Sequence, residues 1–256
     1  MNKKVCIFVD GENFRKSIVD IFKGEFDQEK YLPKTNWGRL YDQIAKDVTQ
    51  GSYERVRTYW YVTQELDFYP YNFPDPENET EELRKILSKH EPYNKKLENL
   101  DRKDIIIKMK EILNDLLKEQ EKIEKRFDGW ITIQNGIQKD NESIEFRRAG
   151  SNSYNLFKRS FGFEKAVDVK LSVDLVLLRG IYDIAVIVSG DQDFVPAVQV
   201  VKDFGKKVVN VSFKTRGGEL LPGGSRKLNI VTDGRLILEY DTLKNLLGLG
   251  TQSLLP

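Results

Sequence analysis

Two apolar runs, far apart in the chain, each stop abruptly in carboxylates, and this pattern constrains the fold more than any other feature. Residues 5–9 (Val-Cys-Ile-Phe-Val) lead into Asp10, Gly11, Glu12 and Asn13. Residues 184–188 (Ile-Ala-Val-Ile-Val) lead into Ser189, Gly190, Asp191, Gln192 and Asp193. Short β-branched runs without polar alternation read as strands buried on both faces, the condition of a parallel sheet covered by helices. In an open sheet of this kind ligands collect beyond the carboxyl ends of the strands, which brings both acidic ends toward one crevice. Crowded carboxylates repel one another unless a cation lies among them. The expectation is an α/β fold with a Mg²⁺ or Mn²⁺ site at one rim, for which a phosphodiester is the usual substrate.

The rest of the chain narrows the chemistry. One histidine (His90) and one cysteine (Cys6) leave no Cys/His zinc site, no two-histidine ribonuclease mechanism and no internal disulfide. His90 falls at helical spacing after Leu83, Ile86 and Leu87, which reads as a histidine at the edge of a packed face. No apolar stretch approaches the ~18 residues that span a bilayer, and the chain does not open like a signal peptide, so a cytoplasmic protein with no membrane association is expected. Net charge is near zero, but residues 84–126 carry thirteen Lys and Arg against nine Asp and Glu, and residues 202–227 seven against two. Basic surface around an acidic site suits a polyanion, although charged runs also form ordinary solvated helix faces.

Periodicity organises the chain as strand, helices, strand up to residue 62. The first helix is expected over residues 13–26, a second is capped by Asn36, and residues 54–62 form the second strand. The alternation then breaks. Residues 104–126 place Ile105, Met109, Ile112, Leu113, Leu116 and Ile123 on one side of a long amphipathic helix. We therefore read a single domain over residues 1–256 with a helical insertion at about 64–127, whose apolar stripe packs on the sheet domain, a second copy or another protein. Residues 130–134 and 143–148 read as strands around a turn at 139–142. From Asp168 a helix, the buried strand 184–188, a helix opened by Pro196 and closed by Gly205, and the strand 207–213 restore the α/β pattern. A Gly-rich loop, a short helix near 225–231, a strand at 235–239 and a terminal helix complete it.

Each carboxylate has a functional and a plainer reading. Asp10 ends a buried strand before a glycine that permits close backbone approach, and it reads as a metal ligand or as a helix cap. Asn13 orients Asp10 or a phosphate, or is itself the cap. Asp191 and Asp193 share one turn; one would bind a cation and the other assist or orient a water, or the turn is only a helix entrance. Ser189 offers a hydroxyl to a phosphate or merely ends the strand. Asp168 begins a helix and would reach the crevice, whereas Asp174, between Val173 and Leu175, belongs at the site or is expensively buried. Lys165, Lys170, Lys214, Arg216, Arg226 and Lys227 are candidates to grip a phosphate backbone, and Tyr61, Tyr154 and Phe157 either stack on bases or belong to the core.

Taken together, Val9-Asp10-Gly11-Glu12-Asn13, then Val167-Asp168-Val169-Lys170-Leu171 with Asp174, then Ser189-Gly190-Asp191-Gln192-Asp193-Phe194 closely resemble the NYN domain, the LabA/DUF88 branch of the PIN-like nucleases. The resemblance covers residues 3–62 and 150–240. It implies a PIN-like three-layer α/β/α fold with a central, mainly parallel sheet, an acidic cluster binding Mg²⁺ or Mn²⁺, and ribonuclease activity on RNA. By motif, Asp10, Asp168, Asp191 and Asp193 match the acidic cluster, with Asn13 and Asp174 as supporting positions. The competing expectations are a DNA-directed nuclease of the flap or Toprim type, and a noncatalytic RNA-binding or partner-recruiting module.

Overall fold

Strand β1 (Lys3–Asp10) serves two cores at once, being buried from Val5 to its last residue. The pleat sends successive side chains to opposite faces. Val5, Ile7 and Val9 join Phe14, Ile18, Trp37, Tyr41 and Trp60 in one apolar cluster, while Cys6 and Phe8 join Leu171, Leu175, Phe194 and Val198 in another. An apolar run without alternation is therefore what a strand between two helical layers requires.

A computed structural model of the protein describes residues 2–24, 32, 35–223 and 226–249. They form two units, one of Met1–Val62, Thr132–Ala149 and Ala166–Pro256, the other of Thr63–Ile131 and Gly150–Lys165. The first unit contains β1, α1 (Gly11–Ile21), α2 (Trp37–Thr49), the first part of β2 (Tyr53–Tyr69), the end of α5 (Arg102–Asp140) and the first part of β3 (Ile144–Asn155). It continues through α6 (Val167–Leu177), β5 (Ile184–Val188), α7 (Val195–Asp203), β6 (Lys207–Lys214), β7 (Leu220–Leu221), α8 (Arg226–Val231), β8 (Gly234–Leu238) and α9 (Tyr240–Leu247). Its strands lie in the order β3-β2-β1-β5-β6-β7, with β8 also on β6. The pairs β1/β2, β1/β5, β5/β6 and β6/β8 are parallel and β6/β7 is antiparallel. Register places Val9 opposite Val188, so β1 and β5 finish side by side.

The second unit has its own core, in which α3 (Thr80–Ser88), α4 (Glu91–Leu97) and its share of α5 bury Leu83, Leu87, Leu97, Met109, Ile112 and Leu116 around Tyr154 and Leu156. It also contains strand: the outer part of β2, the outer part of β3, and β4 (Ser160–Lys165), which pairs antiparallel with β3. Residues 64–69 are thus extended rather than helical. His90 stacks on Phe157 with ring centroids 3.9 Å apart, as a packed-face histidine should.

Local signals explain most boundaries. The Asn36 side chain accepts the Arg39 N–H at 3.2 Å and caps α2. Pro196 lies in the first turn of α7, and Gly205 follows its end with φ of +74°. Gly11 is required by crowding, because a Cβ there would meet the Tyr61 carbonyl oxygen at 2.3 Å. The first helix ends at Ile21, with Phe22 as its cap, short of the end expected near Phe26, which itself lies outside the described residues together with Gly224 and Ser225 ahead of α8.

A further assignment is corrected. Residues 130–134 are helix, not strand, because α5 runs on to Asp140. Trp130, Ile131 and Ile133 favour extended backbone, but propensity is weak beside packing. Gln134 and Asn141 are buried, Ile137 packs against the core, Gln138 accepts the Phe146 N–H at 2.9 Å, and Asn141 accepts the Gly38 N–H at 2.9 Å. These contacts recur at helical spacing and hold the last turns in place. Among the described residues no helix is long and apolar enough to cross a membrane.

Candidate active site

The ends of β1 and β5 meet through a hydroxyl. Asp10 is 3% exposed. Its Oδ2 accepts the Ser189 Oγ–H at 2.7 Å and the Asn13 side-chain amide at 2.5 Å, and its Oδ1 accepts the Asn13 backbone N–H at 3.2 Å. The Ser189 Oγ in turn accepts the Asp191 N–H at 3.0 Å. Asp10 and the turn that carries Asp191 are thus tied by one side chain, itself 1% exposed. The capping reading also holds, since Asp10 caps α1 and Asp191 accepts the Asp193 N–H at 2.9 Å. Capping uses one oxygen of each carboxylate and leaves further lone pairs.

Electrostatics follow from this packing. Burial pushes the Asp10 carboxyl above its ordinary value; the hydrogen bonds from Ser189 and Asn13 oppose the shift, and the nearby Asp191 charge reinforces it. Two acidic groups from distant segments therefore sense each other at the carboxyl end of adjacent parallel strands. The turn is also sterically fixed, because a Cβ on Gly190 would meet the Gly223 carbonyl oxygen at 2.5 Å.

Other candidate residues are placed differently. Asp193 is exposed. Asp168 is half-buried in the first turn of α6, a helix that packs on β1 and on the turn of Gln192–Phe194. Asp174, 2% exposed, is held by the Arg147 guanidinium at 2.7 Å, the Lys170 ammonium at 2.9 Å and the Tyr61 hydroxyl at 3.0 Å. Burial, then the Asp174 charge, push the Tyr61 phenol far up, so it stays protonated and donates. The charge of Asp174 is answered by two cations, and Lys170 is committed to it. Lys214 pairs with Glu239 at 3.2 Å, Lys165 ends β4 in the other unit, and Arg216, Arg226 and Lys227 are exposed.

Among the described residues no three His, Cys, Asp or Glu side chains come together in a group that would hold a metal ion. The structure joins Asp10 and Asp191 and does not bring Asp168 and Asp193 into a ligand group with them. Two hard carboxylates still suit Mg²⁺, which is commonly held by one or two carboxylates, with waters and substrate phosphate completing its shell. Tyr61 and Tyr154 are core residues at 0% and 3% exposure, and Phe157 packs among Tyr69, Phe73, His90 and Tyr93. The sequence reading missed Arg147, which lies 27 residues before Asp174 and carries no local pattern linking the two.

A family profile described as the NYN domain matches residues 93–221. The chain belongs to the NYN domain family. The match includes Asp168, Asp174, Ser189, Asp191 and Asp193 and begins after Asp10. A mostly parallel sheet between two helical layers is the PIN-like fold expected of such a domain. No curated protein matches the chain. A solved structure similar to it is a protein of unknown function from Vibrio parahaemolyticus, at 14% identity over 92% of this chain and 93% of that one, with a TM-score of 0.44.

Two stability measurements check this geometry. Removing Asp174 leaves Arg147 and Lys170 facing each other and the buried Tyr61 hydroxyl without its acceptor. Asp174→Ala should therefore cost about 3 kcal/mol in urea unfolding; a loss within error of zero would contradict the network. For Asp10, the folded carboxyl takes up its proton at higher pH than the unfolded one. Its contribution is then a penalty at neutral pH that disappears as pH falls through the folded value. With a chelator present, Asp10→Asn should have a higher urea midpoint than wild type at pH 7, and the gap should close in acid. A lower midpoint at pH 7 would contradict the assignment.

Proposed function

We propose that this protein is a metal-dependent ribonuclease that hydrolyses RNA phosphodiester bonds at the rim where β1 and β5 end. The observation that carries the reading is the convergence of Asp10 and Asp191, tied through Ser189, at the carboxyl end of paired parallel strands. Membership of a PIN-like nuclease family supports the same chemistry. Residues 64–127 are read as an insertion into that domain.

Asp10 and Asp191 would hold Mg²⁺ or Mn²⁺, which when bound neutralises phosphate charge and lowers the pKa of a coordinated water. What the chain itself contributes is positioning. Asn13 and Ser189 fix the Asp10 carboxylate by donating to it, so its orientation requires no reorganisation when substrate arrives. Asp193, exposed on the same turn, would orient a water from the solvent side, and Asp168 would approach from the start of α6. Asp174 acts on the fold, by holding Arg147 and Lys170. The exposed Arg216, Arg226 and Lys227 would meet the phosphate backbone.

A second reading is favoured by one observation, that no third carboxylate completes a metal-holding group with the pair among the described residues. It is a noncatalytic RNA-binding module.

Cleavage of single-stranded RNA with Mg²⁺ or Mn²⁺ separates the two, with single-stranded DNA assayed in parallel. Asp10→Asn and Asp191→Asn should reduce RNA cleavage to the no-enzyme rate while circular dichroism stays unchanged. Ser189→Ala, which keeps both carboxylates but removes one donor to Asp10 and the acceptor of the Asp191 N–H, should lose about 10-fold to 100-fold. Wild-type cleavage in both carboxylate variants would overturn the nuclease reading, and RNA binding without cleavage under Mn²⁺ would establish the binding module.

A further inference from the structure

Beside the carboxylate rim lies a cavity of about 450 Å³. It is lined by Ser212, Leu220, Arg226, Asn229, Ile230 and Arg235. Its position is set by the turn that bears Asp191. Gly190 packs against Gly223, Leu220 lies just before that contact and Arg226 just after it, and α8 rests on the turn of Gln192–Phe194. Cavity and carboxylates therefore share one edge of the first unit.

The lining has a definite chemical bias. Of its two guanidiniums, Arg226 and Arg235, neither forms an ion pair with any described residue, whereas Arg15, Arg55, Arg57, Arg147 and Arg159 each do. Asn229 is oriented from behind: its Oδ1 accepts the side-chain amide of the fully buried Asn210 at 2.8 Å, while its own amide N–H groups have no partner among the described residues. The polar groups are thus mainly donors, and among the described residues no carboxylate lines the cavity. Leu220 and Ile230, the latter 68% exposed, supply apolar surface at the same opening. Paired arginine forks match phosphate oxygens, an apolar wall suits the face of a base or sugar, and the volume lies in the range of sites for small ligands.

We propose that this cavity is a subsite for one nucleotide of the strand presented to Asp10 and Asp191. Arg226 and Arg235 hold its phosphate, Asn229 donates to it or to the sugar, and Leu220 and Ile230 cover its apolar face. The inference rests on the nuclease reading for its biological meaning, but its binding chemistry is measurable without any cleavage. It makes Arg235, which sequence pattern did not single out, a binding residue, and it gives Arg226 a defined pocket in place of a general role in charge attraction.

The test is titration of 5′-mononucleotides, inorganic phosphate and unphosphorylated nucleosides into the Asp10→Asn protein, by calorimetry or by amide shifts. A 5′-mononucleotide should bind more tightly than phosphate or nucleoside alone, and Arg226→Ala combined with Arg235→Ala should weaken it about 10-fold or more. Lys207→Ala, which removes an exposed charge at the start of β6 and outside the cavity lining, should leave mononucleotide binding at its Asp10→Asn value. No binding at millimolar mononucleotide, an unchanged affinity in the double variant, or an equal loss in Lys207→Ala would overturn the proposal. Because cleavage is not read, an inactive enzyme with intact mononucleotide binding would sink the nuclease reading alone, and an active one with no binding would sink only the subsite.

Discussion

A carboxylate buried at the end of a central strand is the constraint on which the rest of this structure depends. Asp10 lies where water is nearly excluded, and a charge there is costly unless hydrogen bonds or opposite charge answer it. The fold supplies three donors, two from Asn13 and one from Ser189, which is contributed by a different strand end. That last bond requires β1 and β5 to finish in register and the turn after β5 to be short and fixed. The contact of Gly190 with Gly223 provides the fixing. Even so, burial and the Asp191 charge outweigh the donors and hold the carboxyl above its ordinary value. A divalent cation would remove that imbalance, which is why the site's geometry and its chemistry are the same problem.

Asp174 presents the same problem with the opposite solution. It too is buried and charged, yet Arg147, Lys170 and Tyr61 surround it. The Arg147 guanidinium also lies over the Tyr59 ring, 4.4 Å from its centroid, so the ion pair is packed as well as charged. One buried acid is satisfied by the protein and one is left under-satisfied. The second is where a ligand gains most by binding, since a fully answered carboxylate has little to offer a cation.

How much of this was legible in the sequence varies by element. The parallel sheet could be read because strands buried on both faces must be apolar at every position, and the runs ending at Val9 and Val188 are. Adjacency of the two acidic ends followed from the general rule about strand carboxyl ends, and the caps at Asn36 and Pro196 from local chemistry. The helix at residues 130–134 was not legible, because its support comes from Gly38 and Phe146, partners that no local window contains. Nor was the fate of Asp174, for its cation Arg147 precedes it by 27 residues in a different element. Periodicity showed the apolar stripe of residues 104–126 that enters the core of the second unit, but not the strand that residues 63–69, 150–155 and 160–165 contribute to that unit. Lysines and arginines could be counted from sequence, but whether each is spent on a neighbour, as Lys170 and Lys214 are, depends on tertiary contacts.

The central claim, that Asp10 and Asp191 act together on one divalent cation, is tested most directly by anomalous diffraction from crystals of the protein containing Mn²⁺. A single ion within direct ligand distance, about 2.0–2.3 Å, of a carboxylate oxygen of both residues is the result expected. An ion bound elsewhere, or a fully loaded crystal in which Asp10 keeps its Ser189 and Asn13 bonds and touches no metal, would contradict the account.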